Sequence, residues 1–592
     1  MNQSNVQAME NFQFQEGGDL SLQWHPSRKK LVWRQQKGAL FFLARWQGRG
    51  REYGLIGLSH PGVEDQRVRV RQMTPEVIRS FEDKRTGMGV EQALCDLSGW
   101  GLVVRDLRGL RVYRDPVGRL PLMWARIIDR KQGGQAGVVV GTRPKVVMGS
   151  RRPIRRSRLE AFLRGEQRQG RDDFFQGVQR IRAAEVLVAD QTGKISFQNY
   201  WPGSSLTPLT GAMAAQRIAD ALTRPIEGAI SRGGELISLS GGYDSTLLLV
   251  LSQELGGQPR SISMVAQGTT HFDERQTIEE VLADRQIRGE FFSIRGPQQW
   301  GAPEVHHQVV DFGPTFQAEA AYFQNFYSYV QQKCTREGKA PVLVTGLGSD
   351  QLFFVGPTEW AQDRIWQGHR PPAVGSWTSR AKRRMKGVAA KWGLSSIPYY
   401  AQGRSGPPWM KEKRRPWDLE PRLLYDRHRW MEQRVDYFRS WTWEYTTRLL
   451  ERYRRSTGVF VELPFLHLDV LRVGLSLPPS ILRAEARMKA PLRELLETRV
   501  PASFFKDRRI GCFDEVVWEG LGNYMRPKPQ TLIEARWLGE YFDLDRQKLR
   551  TVLKTNLQES DIFRIRNNFA LWQVMAAELW LRQWELSSDS YP

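Results

Sequence analysis

At 592 residues the chain is too long for one ordinary domain; about four small units, or two to three larger ones, fit it. Its 40% apolar, 26% charged and 11% aromatic residues describe a globular core and exclude collagen-like structure and extended disorder. The net charge of +23 calls for an anionic counterpart: nucleic acid, a membrane surface, nucleotide phosphates or an acidic peptide.

The first 200 residues read as β-rich. Leu40–Ala44, Gly101–Val104, Leu110–Tyr113, Gly137–Gly141 and Glu185–Val188 are short β-prone runs, and Arg105–Gly109 reads as a hairpin turn. The basic stretch Arg151–Arg156 separates two of these runs. Trp201-Pro202-Gly203-Ser204-Ser205 is a punctuated linker, which puts a boundary near residue 205. Beyond it helices are predicted over Ala212–Arg232, Ser245–Leu255 and Glu274–Arg285, and strands over Leu236–Leu239, Ser261–Val265 and Phe291–Ile294. That alternation predicts a parallel α/β sheet. Helical patterns dominate from about Ala318, and Arg370–Pro416, rich in Pro, Gly, Lys and Arg, reads as a long loop.

Three scattered cysteines, Cys95, Cys334 and Cys512, form no CxxC pair, which argues against a disulfide scaffold or a Cys-rich zinc site and suits a reducing compartment. Met1–Asn5 lacks the basic and apolar regions of a secretory signal. No run of about 18 apolar residues marks a transmembrane helix. A cytoplasmic protein is expected.

The most informative segment is Ser240-Gly241-Gly242-Tyr243-Asp244-Ser245, between a predicted strand and a predicted helix. Two glycines let the backbone approach an anion, and the helix N-terminus adds a favourable dipole. Asp244 would repel a phosphate unless a cation lies between them, which implies Mg²⁺. The loop lacks the Lys of GxxxxGK(S/T), so it is not a Walker site. The plain alternative is a Gly-Gly turn with an Asp cap.

SGGYDS resembles the SGGxDS pyrophosphate loop of the N-type ATP pyrophosphatases. Further blocks resemble asparagine synthetase-like proteins. Phe272-Asp273-Glu274 follows the second strand, Val342–Phe353 looks like their LSGxGxDELF block, and Glu462–Leu466 like RVPFLD. Lys489–Cys512 is similar to K-x-x-LR…LP…R-x-K-x-G-F. Upstream, Tyr113–Leu122 and the stretch from Phe174–Val178 to Asn199–Trp201 resemble segments of the glutaminase-like domain of the same family. The blocks run in order from about residue 90 to 520.

The resemblance implies an α/β chain. Residues 1–205 would form a β-rich sandwich like an inactive class II glutaminase domain of the Ntn type. Residues 206–592 would form a parallel-sheet ATP-pyrophosphatase synthetase domain with many helices. It further implies ATP contacts at Ser240, Gly241, Gly242, Asp244, Ser245, Met264, Gly346 and Gly348, and Mg²⁺ held by Asp244 and Asp350. The family's phosphate-stabilising Lys aligns with Arg509, with Lys506 three residues earlier as the other choice. Arg keeps the charge but cannot trade a proton.

Two departures matter. Glutamine-hydrolysing members carry a nucleophilic Cys after the initiator Met, and here Asn2 stands there, so no thiolate can be assembled at that place. Cys95 falls in an apolar strand-like segment instead. The pattern resembles the Cys-less branch: β-lactam synthetase, carbapenam synthetase and the lasso peptide cyclases. The β-lactam and carbapenam enzymes use a Tyr–Glu pair, and Leu347 occupies the Tyr position. Glu444, with Glu451 behind it, is then the candidate base, against the plain reading of a helix-surface Glu.

The expected activity is ATP-dependent amide formation: adenylation of a carboxylate, release of pyrophosphate, then ring closure in a precursor peptide, as in lasso peptide cyclases. The alternative is an ammonia-dependent asparagine synthetase-like or β-lactam synthetase-like enzyme acting on a small carboxylic acid. The partners expected are the core peptide and a leader peptidase or leader-binding protein. Nucleic acid is not expected, because no RNA-binding module or thiolation CxxC is found. Contact with a membrane surface stays open. Most tryptophans, including Trp430, Trp441, Trp443, Trp572, Trp580 and Trp584, are expected in the core, some lining a peptide groove. Arg380–Lys386 and Lys411–Arg415 are the densest basic runs, read as closing over ATP, meeting an acidic partner or lying solvated.

Overall fold

The structure is a computed structural model. It describes residues 10–17, 20–25, 30–35, 41–48, 51–58, 94–97, 99–129, 134–148, 152–164, 170–201, 209, 213–266, 274–294, 312–315, 320–355, 429–484, 487–505, 535–551 and 565–586. Asn2, the 202–208 linker with the expected boundary, Asp273, the 370–416 stretch, Lys506, Arg509 and Cys512 lie outside the described residues.

Two antiparallel sheets form an N-terminal sandwich. The first has seven strands in the order β1-β4-β5-β6-β7-β11-β12: Glu10–Gly17, Phe41–Gly48, Arg51–Leu58, Trp100–Asp106, Gly109–Arg114, Glu185–Asp190 and Ile195–Asn199. The second has five, β10-β8-β9-β2-β3: Val178–Arg180, Met123–Asp129, Gly134–Gly141, Leu20–His25 and Lys30–Gln35. All pairings are antiparallel. Alternating side chains turn inward from both sheets. Leu43, Ile56, Val103, Val112 and Leu187 of the first meet Leu22, Trp124, Val138 and Val140 of the second in one core. The five β-prone runs read from sequence fall on β4, β6, β7, β9 and β11.

After helix Ala214–Ser231 the pattern becomes β–α. Strands β13 (Leu236–Ser238), β14 (Arg260–Ala266), β15 (Gly289–Ile294), β16 (Val342–Val344) and β17 (Phe460–Glu462) form a parallel sheet in the order β15-β14-β13-β16-β17. Helices Tyr243–Glu254, Arg275–Arg285 and Ala320–Arg336 connect the first four strands. All three predicted strands and all three predicted helices of this stretch are found. The chain winds outward in one direction through β14 and β15, then returns past β13 to β16 and β17. The strand order therefore reverses between β13 and β16, and ligands of such sheets bind beyond the carboxyl ends of the strands at that point.

Helices Trp441–Thr457 and Ile565–Leu586 tie the two parts together. Trp580 lies 5.3 Å from Phe174, and Trp584 4.6 Å from Phe175, ring centre to ring centre. Trp441, Trp443, Trp572, Trp580 and Trp584 are fully buried. They are core, as most tryptophans were expected to be, and are not lining for a groove. No helix among the described residues is long and apolar enough to cross a membrane.

Candidate active site at the strand-order reversal

The loop leaving β13 builds one wall of the site. Gly241 takes φ +70°, open to glycine at little cost, and turns the backbone so that Gly242 caps helix Tyr243–Glu254. The two hydroxyls of the loop lie 3.1 Å apart, and Ser245 Oγ accepts the backbone N–H of Ser240 at 3.1 Å. Ser240 Oγ accepts the N–H of Gly242 at 3.3 Å. The loop is thus braced from within, with Asp244 in the first turn of the helix.

The segment after β16 builds the other wall. Gly346 lies so close to the loop that a Cβ there would sit 2.9 Å from Asp244 Cβ and 3.2 Å from Ser245 N. Only a hydrogen leaves that space. Gly348 precedes the short helix Ser349–Phe353, which carries Asp350 in its first turn. Ser349 donates its hydroxyl to Asp244 Oδ1 at 2.7 Å.

Lys489 sits between the two acidic residues. Its ammonium donates to Asp244 Oδ2 and reaches Asp350 Oδ1 at 2.6 Å. Asp244 is largely buried, whereas Asp350 is 66% exposed. Burial alone would lower the Lys489 ammonium, but Asp244 and then Asp350 raise it above the usual lysine value. Burial pushes the Asp244 carboxyl up, opposed chiefly by Lys489. Two carboxylates converging on one cation at the end of a parallel sheet make a hard-oxygen donor set beside an anion-binding turn.

The expected site residues separate here. Ser240, Gly241, Gly242, Asp244, Ser245, Gly346, Gly348 and Asp350 are drawn together. Met264 lies in β14, in register with Phe292 of β15, and is only partly buried. Phe505, the last described residue before Lys506 and Arg509, packs its ring 6.1 Å from Tyr243. Lys489 opens the Lys489–Cys512 block, a position to which the sequence alone assigns no role. Its spacing from Leu492-Arg493 is the signal in the sequence.

Glu444 requires a correction. Its carboxylate meets Arg114 at 2.9 Å, Arg448 at 3.1 Å and Arg180 at 3.3 Å, and no residue of the Gly-Gly loop. Burial alone would raise its pKa, but Arg114, Arg448 and Arg180 pull it down to about 2. A carboxylate held by three guanidiniums is a poor proton acceptor near neutral pH. It is a buried counter-ion between the sandwich and helix Trp441–Thr457. Glu451 is likewise committed, to Arg454 and Arg455. Cys95 offers no substitute nucleophile, because burial, and then Asp96, push its thiol up to about 12.

Among solved structures the chain is similar to glutamine phosphoribosylpyrophosphate amidotransferase from B. subtilis, complexed with ADP and GMP. The identity is 10%, the TM-score 0.17, and the match covers 56% of this chain and 76% of that one. A search of curated proteins finds no match. The asparagine synthase family model spans residues 235–582, from the strand before the Gly-Gly loop, through both acidic residues and Lys489, into the last helix. Matched over more than half its length, the chain belongs to the asparagine synthase family.

Proposed function

We propose that this chain is an ATP-dependent amide-bond-forming ligase that closes a macrolactam in a precursor peptide. The observation that carries the chemistry is the convergence of Asp244 and Asp350 on Lys489 beside the Gly-Gly loop. That donor set suits Mg²⁺, which takes oxygen ligands and would be held by these two carboxylates. When bound, the ion would neutralise charge on the pyrophosphate. Backbone N–H groups of the loop, with Ser240 and Ser245, cradle the phosphates. Lys489 adds positive charge there, and Arg509 or Lys506 is the further cation the family resemblance calls for.

The reaction runs in two displacements. A carboxylate oxygen of the peptide bonds to the α-phosphorus of ATP while the bond to the β-phosphate breaks, releasing pyrophosphate. The peptide's amine then bonds to the activated carbonyl carbon, AMP leaves with the carboxyl oxygen, and the amine gives up a proton. AMP is a good leaving group where oxide is not. The ring-closing assignment rests on Leu347, where the β-lactam-forming relatives carry Tyr.

The test is pyrophosphate release from Mg-ATP with a core peptide bearing a free N-terminus and an internal Asp or Glu. Asp244→Asn and Asp350→Asn should each reduce it at least ~100-fold. Release driven by aspartate plus ammonia, and not by peptide, would replace the macrolactam reading with the small-acid one. Full release by the double variant would overturn the site itself.

A further inference from the structure

Helix Ala490–Glu497 lies against helix Tyr243–Glu254 and is tied to it at both ends. At one end the Lys489 ammonium reaches Asp244, and at the other the Arg499 guanidinium reaches Glu254 at 3.0 Å. The two ties are ten residues apart on each segment, about 15 Å of helix, so the segments run side by side in the same direction. The Arg499 carbonyl also accepts from Arg285 Nε at 2.8 Å, which fixes the far end to helix Arg275–Arg285.

The near end carries strain. Lys489 takes φ +50° as the cap of its helix. A lysine stays in the left-handed region only where its surroundings hold it. The ion pairs to Asp244 and Asp350 are one hold, and Arg493 supplies another. Arg493 lies one turn on, on the same face of the helix, and donates a hydrogen bond to the Tyr243 hydroxyl. Its guanidinium is fixed further by Glu497, which accepts from Nε at 3.0 Å, and by Phe505, whose ring centre is 4.8 Å away. Tyr243 is fixed in turn. Its ring centre lies 6.0 Å from Phe504 and 6.1 Å from Phe505, and those two rings meet edge to face at 5.2 Å. Lys489 and Arg493 thus grip two successive residues, Asp244 and Tyr243, where the helix leaves the Gly-Gly loop. The SGGxDS pattern leaves its fourth position open, so the motif itself says nothing about Tyr243.

We propose that Tyr243 is a positioning residue for pyrophosphate release: through Arg493 it holds helix Ala490–Glu497 in the register that keeps Lys489 on Asp244 and Asp350. The phenol acts on the guanidinium and not on the reacting atoms. Negative charge grows on the pyrophosphate as its bond to the α-phosphorus breaks. A misplaced Lys489 ammonium is therefore felt in the transition state more than in bound ATP. The rate effect rests on the ligase reading; the grip on Lys489 does not.

The experiment uses the full chain with Tyr243→Phe, which keeps the ring and removes the hydroxyl, with Arg493→Met, and with the two combined. Tyr243→Phe should lower kcat for pyrophosphate release from Mg-ATP and core peptide about 10-fold and leave the KM for ATP within about 2-fold. The combined variant should lose no more than Arg493→Met alone. Wild-type kcat in Tyr243→Phe, a KM rise without loss of kcat, or a multiplied loss in the combined variant would overturn the proposal. A second measurement needs no catalysis. Denaturant midpoints of wild type, Tyr243→Phe, Lys489→Met and their combination report the coupling between positions 243 and 489. Lys489→Met should move the midpoint at least about 2-fold less in the Tyr243→Phe background than in wild type. Equal shifts would sink the idea. If wild type releases no pyrophosphate with peptide or with aspartate plus ammonia, the ligase reading fails, and the midpoints then decide the positioning role by themselves.

Discussion

Replacing Glu444 by Gln separates a structural anion from a catalytic base. The carboxylate sits buried at 2.9–3.3 Å from Arg114, Arg448 and Arg180. Folding lowers its pKa from the ordinary 4.5 to about 2. A drop of this size corresponds to about 3 kcal/mol of native-state stabilisation at neutral pH. Removing one partner of a buried ion pair costs about 3–5 kcal/mol, which agrees. For a chain of this size unfolding as a unit, that is a fall of about 3 °C in Tm, and more if only part of it melts. The sign fixes the pH dependence. A depressed carboxyl stabilises fully above its unfolded pKa and loses that contribution as pH falls through the folded value. The gap between wild type and Glu444→Gln should therefore be widest above pH 4.5 and close toward pH 2. Thermal melting across that range, with pyrophosphate release at neutral pH, is the assay. Unchanged Tm at pH 7 together with lost amide formation would refute the reasoning and restore Glu444 as a base.

Other substitutions probe the rest of the arrangement. Gly346→Ala puts a Cβ 2.9 Å from Asp244 Cβ, so pyrophosphate release should drop at least ~10-fold while Tm moves little. Lys489→Met leaves Asp244 and Asp350 facing each other across a partly buried gap. Catalysis should fall at least ~100-fold, and added Mg²⁺ should raise Tm more in the variant than in wild type. Trp441→Leu removes the ring under the guanidiniums of Arg158 at 3.8 Å and Arg180 at 4.5 Å, and leaves a cavity. A loss of about 3–5 kcal/mol by denaturant titration is expected, with the nucleotide site intact.

The parallel-sheet unit was legible because its signals are local. Apolar runs such as Ser261–Val265 sit beside helix-length polar patterns, and the Gly-Gly loop marks the turn between them. β16 and β17 are three residues each and carry no periodicity; β13 is as short, but the Gly-Gly loop that follows marks it. The early strands were half-seen for another reason. Glu10–Gly17 reads ENFQFQEG, with Gln13 and Gln15 exposed, so its apolar half is too sparse to stand out. Asp244 and Asp350 were readable as a pair through ordered motifs, but the ammonium between them was not. Lys489 lies far along the chain, and only folding brings it there. Glu444 was misplaced for the same reason. On a helix, a buried anion and a surface one share the same letter, and its partners Arg114 and Arg180 are 330 and 264 residues away.

The Glu444 cluster also bears on how this protein can be recombined. Arg114 and Arg180 come from the sandwich, while Glu444 and Arg448 come from the helix that precedes β17 of the parallel sheet. Arg448 reaches back to Asp173 of the sandwich at 2.5 Å. An engineer who grafts a different sandwich onto this synthetase unit must carry Arg114, Asp173 and Arg180 as one set. A graft matched only in shape would bury unpaired charge at the seam. The sandwich is thus not a detachable module.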